Sequence, residues 1–512
     1  MGWLTGGQLV GDLAAFIFFI LLSRNFGPEG VGVYAFGVAV ATIGRTVVSL
    51  GVDDFGVREL ATRESDGAKV VGKILGTQCW LLAVYAAGCA FFLIVAGVSK
   101  ETLIVTGLLA AYHLGAGLSR SSFLPAFAER RMAGPALLNA GSRVLAIVAG
   151  IGAILLGGTD LAGVLFGFPV FGVLLLISAL WLGRRDLGRI HLELGLGSVF
   201  SVARRAWPFA AGEVVFRLHS RADVLMLSLI TGSAATGIYA AGLKFVEVSM
   251  MVVALFSFAL YPRLTRLAES DEVGFGIAVT TIVKGGFVAC VILGWGIFVF
   301  VPDLIPLFFG AEFRDTEWVV KLFALLVPLK GLVILGDRLM LAAGRQVRKL
   351  RFQTIATGLN VIFNGVLIPL LAVEGAILAS VVSIAVNAFL LVRYLRRYSP
   401  ERLMQRLATD VVPLFAVGLL AAGVGAYMEV GEVWAAVAFI MSFIGAAVIS
   451  GFLSMIWAGV TRLIAQEGEI GRDPASLYEI GDPVPWSRSQ YLRTPARGSD
   501  SPRARPFSSE VS

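Results

Sequence analysis

Charged side chains recur inside the apolar stretches of this 512-residue chain, and their types suit the binding of an anion. In the richest stretch Glu213, Arg217 and Arg221 follow one another at a spacing of four residues, so a helix places them on one face. A guanidinium group binds a carboxylate or a phosphate through two parallel hydrogen bonds. These arginines therefore indicate either an anion site or salt bridges that hold helices in register.

The same reasoning extends to the other polar residues of the apolar stretches. The candidate ligands of an anionic, sugar-bearing substrate are Arg45, Arg143, Arg217, Arg221, Lys284, Arg338, Asn360 and Asn364. The candidates for coupling to a proton or Na⁺ are Asp12, Glu213, Asp223 and Glu247. Lys244, Lys321, Lys330 and Asp337 also lie within apolar stretches, so cations outnumber acids there.

Two details of this set predict particular roles. Glu213 is placed to neutralise Arg217, which leaves Arg221 available to a ligand. Asn360 and Asn364 lie one helical turn apart, where they either bind sugar hydroxyls or fix contacts between helices.

Other kinds of chemistry have little support. The three histidines have no metal-ligand spacing, and the three cysteines lie inside apolar segments without ligand or disulfide patterns. No glycine-rich run carries the lysine and hydroxyl residue of a phosphate-binding loop. We therefore expect no enzyme activity, no metal or cofactor, no ATP-driven step and no nucleic-acid partner.

The elements that position the charged residues are membrane helices. Apolar residues make up 57% of the chain and charged residues only 15%, against about 25% in soluble domains. A bilayer-spanning helix needs about 20 mostly apolar residues. About fourteen such segments are predicted, near residues 6–23, 31–52, 74–96, 102–121, 135–156, 160–183, 206–230, 237–260, 277–301, 317–342, 352–371, 375–395, 409–428 and 433–459.

The basic residues predict the orientation of these segments. Most of the 42 lysines and arginines fall in connections on one side, whereas the opposite connections hold only Arg24, Lys100 and Arg314. Because positive residues accumulate on the cytoplasmic side, both termini are expected there. Short outer connections leave no room for an extracellular domain, and residues 462–512 read as a disordered basic cytoplasmic tail.

A repeat divides the chain. The motif Gly27-x4-Gly32-x-Tyr34-Ala35-x-Gly37 returns as Gly232-x4-Gly237-x-Tyr239-Ala240-x-Gly242, which indicates a duplicated hairpin. We expect six-helix lobes at 1–200 and 201–407, followed by two additional helices at 408–461. In this alignment Asp12 is equivalent to Arg217, which predicts that these two residues face each other across a pseudo-twofold axis.

Three motifs resemble those of a known family. They are SRNFGPEGVGVY from Ser23, RADVLML from Arg221 with GIYA from Gly237, and NVIFNGVLIP from Asn360 with GAILA from Gly375. Their order and spacing are similar to those of oligosaccharide flippases for polysaccharide export. These flippases form a branch of the multidrug/oligosaccharidyl-lipid/polysaccharide exporter superfamily, and the resemblance spans about residues 5 to 460.

The resemblance implies an all-α, MATE-like architecture of two lobes around a central cavity that opens alternately to the two sides. It implies a multi-pass protein of the plasma (inner) membrane that moves a sugar on a polyprenyl or dolichyl phosphate or pyrophosphate to the outer leaflet. Membrane lipids and polysaccharide assembly proteins are the expected partners. The alternatives are a lipid II flippase, a multidrug or cation antiporter of the same superfamily, and a membrane glycosyltransferase or polymerase.

Overall fold

The part of the chain that the structure describes is mostly helical. A computed structural model describes residues 2–49, 51, 56, 59–60, 67–129 and 131–398, and it contains no strand within these ranges. The helices are α1 Gly2–Ser49, α2 Gly67–Val95, α3 Lys100–Ser122, α4 Leu124–Ala128, α5 Ala133–Leu155, α6 Leu161–Leu165, α7 Gly167–Leu187, α8 Leu196–Thr231, α9 Ser233–Ser270, α10 Glu272–Phe309, α11 Thr316–Ala324, α12 Val327–Ala342 and α13 Gln346–Leu395. The predicted helices at 409–428 and 433–459 and the tail at 462–512 lie outside the described residues.

Most of these helices suit a bilayer. Eight among the described residues are long and apolar enough to cross one, or nine if α11 and α12, bent by 46° at a short break, count as one span. Helix α8 is not among them, since charged residues from Glu213 to Asp223 occupy its middle. The predicted all-α polytopic membrane fold is confirmed. The segments predicted within these residues are largely helical, although 160–183 and 317–342 are each divided between two helices.

Helix α1 is a hairpin of two predicted segments. The rings of Phe18 and Tyr34 lie 5.9 Å apart, whereas a straight helix would separate these residues by about 24 Å. The reversal occurs at Gly27, whose φ of 59° and ψ of −170° suit glycine alone. Pro28 follows at the first helical position, where its missing N–H costs no hydrogen bond.

Helix α13 reverses in the same manner. At Ala372 the backbone takes a φ of 48°, and the Nδ2 atom of Asn360 donates to the hydroxyls of Ser380, at 3.4 Å, and Ser383, at 3.3 Å. These residues could not meet along a straight helix. Both ends of α13 therefore lie at the same end of the bundle.

The two copies of the repeated motif turn alike. Gly232, between α8 and α9, has a φ of 96° and a ψ of 179°, close to the conformation of Gly27. The following positions, Pro28 and Ser233, are equivalent in the two motif copies. We call the end of the bundle marked by Gly27 and Gly232 the glycine end.

At the glycine end the two motif copies contact each other reciprocally. A Cβ atom added to Gly32 would lie 1.8 Å from the backbone oxygen of Ser233, and one added to Gly237 would lie 1.8 Å from that of Pro28. Only glycine permits this approach. The reciprocal contact is the arrangement that a duplicated hairpin predicts, while the lobe boundaries at 200 and 407 stay a prediction.

Polar and aromatic contacts reinforce this end. The Nε atom of Arg24 donates to the Phe308 carbonyl at 3.0 Å, and its Nη2 atom donates to the Leu307 carbonyl. In the main apolar core just below, the rings of Phe19 and Phe309 lie 5.5 Å apart. These contacts bind α1 firmly to α10.

A bulky residue at Gly237 should open the glycine end. We expect Gly237→Leu to force α1 and α9 apart, because its side chain meets backbone that cannot rotate away, at a cost of at least about 1–3 kcal/mol. The measurement is labelling of a cysteine placed at the fully buried Thr236 by a membrane-impermeant thiol reagent, in a background without Cys79, Cys89 and Cys290. Labelling should rise severalfold.

The matched control is Gly107→Leu on α3, where an added Cβ meets no atom within 4 Å. It should leave the cysteine at position 236 protected. Equal labelling of both variants, or unchanged protection in Gly237→Leu, would contradict a seal formed by this contact.

Candidate functional site

The candidate site is a group of ion pairs on α1, α5, α8 and α9. All are formed by residues of membrane helices, and each joins a basic nitrogen to a carboxylate oxygen. The pairs are Arg143 Nη2 to Asp12 Oδ1 at 2.6 Å, Arg217 Nε to Glu213 Oε1 at 3.1 Å, Arg221 Nη1 to Glu247 Oε1 at 3.3 Å and Lys244 Nζ to Glu247 Oε2 at 2.7 Å.

The three arginines of these pairs and Arg45 of α1 lie around one histidine. His113 on α3 lies within electrostatic range of all four, namely Arg45, Arg143, Arg217 and Arg221. The Arg45 stem runs beside Gly117 of α3, where an added Cβ would lie 3.2 Å from its Cγ. We call these four arginines, with Asp12, Glu213 and Glu247, the central charge cluster. Its arginines come from both predicted lobes.

Two arginines of the cluster are partly exposed. The side chains of Arg143 and Arg221 are 32% and 24% exposed. Arg143 lies in the middle of a helix that could cross a bilayer, and Arg221 lies in α8. A charge facing hydrocarbon costs about 2.5–3.5 kcal/mol on insertion scales, so such residues point into a bundle or a wet cavity. The arrangement can hold an anion that displaces the carboxylates from their arginines.

The pairing of α8 differs in part from the sequence prediction. Glu213 neutralises Arg217, as its spacing predicts. Arg221 is not left available, however, because Glu247 of α9 contacts both Arg221 and Lys244. The α8–α9 hairpin brings Glu247 to Arg221, and spacing along a single helix could not reveal this partner.

Asp12 and Arg217 each form an ion pair with a residue other than the one that the repeat alignment predicted. Asp12 forms its close ion pair with Arg143, and Arg217 with Glu213. The alignment of the repeats identified equivalent positions, but it could not see that α5 places an arginine beside α1.

Asp223 is the most buried acid of the candidate set, with 6% of its surface exposed. Its Oδ1 atom accepts from the Val224 amide at 2.8 Å and its Oδ2 atom accepts from the Tyr239 hydroxyl. In the other repeat the equivalent positions hold the aromatic pair Phe18 and Tyr34, whose rings are in contact. The sequence prediction missed Tyr239 as a partner, although the repeated motif contains it.

Three of the predicted substrate ligands are buried in helix contacts. Asn360 and Asn364 are 1% and 0% exposed, and the Nδ2 atom of Asn364 donates to Asn360 Oδ1 at 3.1 Å. Together with the bonds from Asn360 to α13 hydroxyls, this supports the helix-contact alternative in this conformation. Lys284 on α10 is 3% exposed, which keeps a substrate from reaching it here.

Arg338 lies on α12, away from the ion pairs of the cluster. Its guanidinium carbon is 3.8 Å from the centre of the Phe258 ring and 5.8 Å from that of Tyr261. Such stacking holds a cation in place and leaves the edges of the group able to donate hydrogen bonds. Within the described ranges, no three His, Cys, Asp or Glu side chains are grouped to hold a metal ion.

Removing the charge of Glu247 should destabilise the protein more than removing that of Glu213. Glu247→Gln leaves two cations without their carboxylate in the interior, at a cost of about 2 kcal/mol after allowance for partial exposure. Glu213→Gln breaks one pair whose acid is 49% exposed, at a cost of less than about 0.5 kcal/mol. Thermal unfolding of the purified protein in detergent measures both. Equal losses would contradict the bridging role of Glu247.

Known proteins resemble this chain in fold and in sequence. In the solved structures, a lipid II flippase described as MurJ in an inward closed conformation has a TM-score of 0.68. It is 15% identical and the match covers 88% of this chain and 99% of that chain, which supports the fold alone. An inward-facing multidrug resistance MATE family transporter of the MOP superfamily has a TM-score of 0.49 at 13% identity, over 78% of this chain and 96% of that one.

Comparison of sequences identifies the family of this protein. The chain is 22% identical over 207 residues to the probable low-salt glycan biosynthesis flippase Agl15 of Haloferax volcanii, covering 39% of this chain and 43% of that protein. The chain thus matches less than half of that relative's length. The family model described as polysaccharide biosynthesis protein matches residues 1–268, which is more than half of the chain and confirms the resemblance drawn from the motifs. The protein belongs to the polysaccharide biosynthesis protein family.

Proposed function

We propose that this protein is a flippase that moves a lipid-linked oligosaccharide from the cytoplasmic to the outer leaflet during assembly of a cell-surface glycan. The observation that carries the proposal is the central charge cluster, which gathers four arginines from both predicted lobes in one interior region. The family match and the flippase named among the relatives support the same class.

The physical task of such a protein explains the cluster. A sugar head group cannot cross hydrocarbon, because its hydroxyls would lose water without replacement hydrogen bonds. The protein supplies a polar path while the lipid tail stays in the bilayer. Arginines bind the phosphate or pyrophosphate that joins sugar to lipid, and carboxylates such as Asp12 and Glu247 keep these arginines compensated when the site is empty.

Movement between the leaflets requires alternating access, and the glycine end supports it. The reciprocal contact of Gly32 with Ser233 and Gly237 with Pro28 closes that end. Release of the head group to the outer leaflet would require the two hairpins to separate there. Asp223, buried against Tyr239, is the acid best placed to couple this movement to H⁺ or Na⁺, with the ion-paired acids of the cluster as further candidates.

The distribution of basic residues supports transport from the cytoplasmic to the outer leaflet. Arginines concentrate at the end opposite the glycine end, so the positive-inside preference places that end in the cytoplasm of a plasma (inner) membrane protein. In this orientation the cluster receives a head group from the cytoplasm. The protein acts as a transporter without catalysis, beside the proteins that make and assemble the glycan.

Removing Arg217 or Arg221 should impair transport while the protein remains in the membrane. We expect Arg217→Ala and Arg221→Ala to reduce glycan at the cell surface at least about tenfold, because each removes a charged hydrogen-bond donor to phosphate. The measurement is rescue of surface glycan in a deletion strain, with protein amount in the membrane determined in parallel.

The matched control is Arg185→Ala, which removes an exposed arginine near the end of α7. It should rescue fully. Full rescue by both cluster variants would refute the assignment of the site.

A further inference from the structure

A second cationic site lies at the end of the bundle opposite the glycine end. The reversal of α13 at Ala372 brings its two ends together, and each end carries a run of arginines. Six are exposed: Arg345, Arg348, Arg351, Arg393, Arg396 and Arg397. The fold thereby joins two basic runs that are far apart in sequence.

Aromatic rings order the arginines of this site. The guanidinium carbons of Arg348 and Arg397 lie 4.6 Å and 4.0 Å from the centre of the Tyr394 ring, which is itself 5% exposed. The Nε atom of Arg345 donates to the Tyr398 hydroxyl at 3.2 Å. This hydrogen bond raises the pKa of Arg345 above its usual value, so the group stays charged. We call Arg345, Arg348 and Arg397, with Tyr394 and Tyr398, the arginine platform.

The platform's charge is not compensated within the described part of the chain. None of its arginines forms an ion pair there, and the nearby Asp337 pairs with Lys349 at 3.3 Å. This differs from the central charge cluster, where carboxylates accompany Arg143, Arg217 and Arg221. An ordered cationic surface with open hydrogen-bond donors fits an anion from outside the chain.

The position of the platform identifies the class of that anion. Tyr394 and Tyr398 mark the last turn of a membrane helix, the level at which tyrosines meet lipid head groups. Basic sites at this level bind phosphate-bearing head groups. We propose that the arginine platform binds the phosphate of a membrane lipid at the leaflet surface. The proposal does not rest on the proposed function, because binding is measured without transport.

The test compares two double variants in nanodiscs of phosphatidylcholine with phosphatidylglycerol. Arg348→Gln with Arg397→Gln removes two platform charges, whereas Arg184→Gln with Arg185→Gln removes two exposed charges near the end of α7. Native mass spectrometry counts the lipids that remain bound after extraction. The platform variant should bind phosphatidylglycerol about thirtyfold more weakly than the native protein, and the α7 variant should retain it.

Further arms identify the source of the phosphate. Farnesyl diphosphate, added in place of phosphatidylglycerol, tests the lipid diphosphate class, and the lipid held more tightly identifies the natural source. Inorganic pyrophosphate alone should bind poorly, since a free anion lacks the contribution of the bilayer. The variant Arg348→Lys with Arg397→Lys keeps the charge but loses the planar stacking, and should bind more weakly than the native protein.

Equal lipid retention by the native protein and the platform variant would overturn the proposal. So would an equal loss in the α7 variant, which would indicate diffuse surface charge, or tighter binding of inorganic pyrophosphate than of either lipid. Thermal unfolding of each variant establishes that it is folded. If the glutamine variant does not fold, the lysine variant decides the outcome.

Discussion

The cost of a charge in hydrocarbon governs the arrangement of this protein. Each guanidinium within a membrane helix costs about 2.5–3.5 kcal/mol unless it faces water, a counter-ion or both. Arg143 and Arg221 meet this constraint by pairing with acids from neighbouring helices, Asp12 and Glu247, while staying partly exposed. The helices are thereby ordered around these ion pairs, and under the proposed function the same arginines would stabilise an anionic head group.

The hairpins give this interior its geometry. Glycine at positions 27 and 232 lets the chain reverse at the same level in both repeats, and Gly32 and Gly237 let the two reversals meet backbone to backbone. The two motif copies differ in chemistry. Where one repeat packs Phe18 against Tyr34, the other holds Asp223 against Tyr239. Related positions of the two copies therefore hold an aromatic pair and an acid–phenol pair.

The sequence predicts the helices and one ion pair because both depend on neighbours along the chain. Apolar length identifies the spans, and the four-residue spacing of Glu213 and Arg217 predicts their contact. The partners of Arg221 and Asp12 come from other helices, so only the packed bundle reveals them. Asn360 shows the same limit: its spacing fitted both a sugar ligand and a helix contact, and burial favours the second. The break predicted between residues 371 and 375 matches the reversal at Ala372, but the stacking of Arg348 and Arg397 on Tyr394 depends on packing that the sequence pattern does not mark.

The central claim is that the arginine-lined interior carries a lipid-linked oligosaccharide across the membrane. Its most direct test is mass spectrometry of the lipid-linked oligosaccharides in a host strain from which the gene is deleted. The account predicts that one intact species accumulates and that re-expression of the native protein clears it. An unchanged lipid pool together with new sensitivity to cationic drugs would contradict it, because the transported molecule would then be a cation.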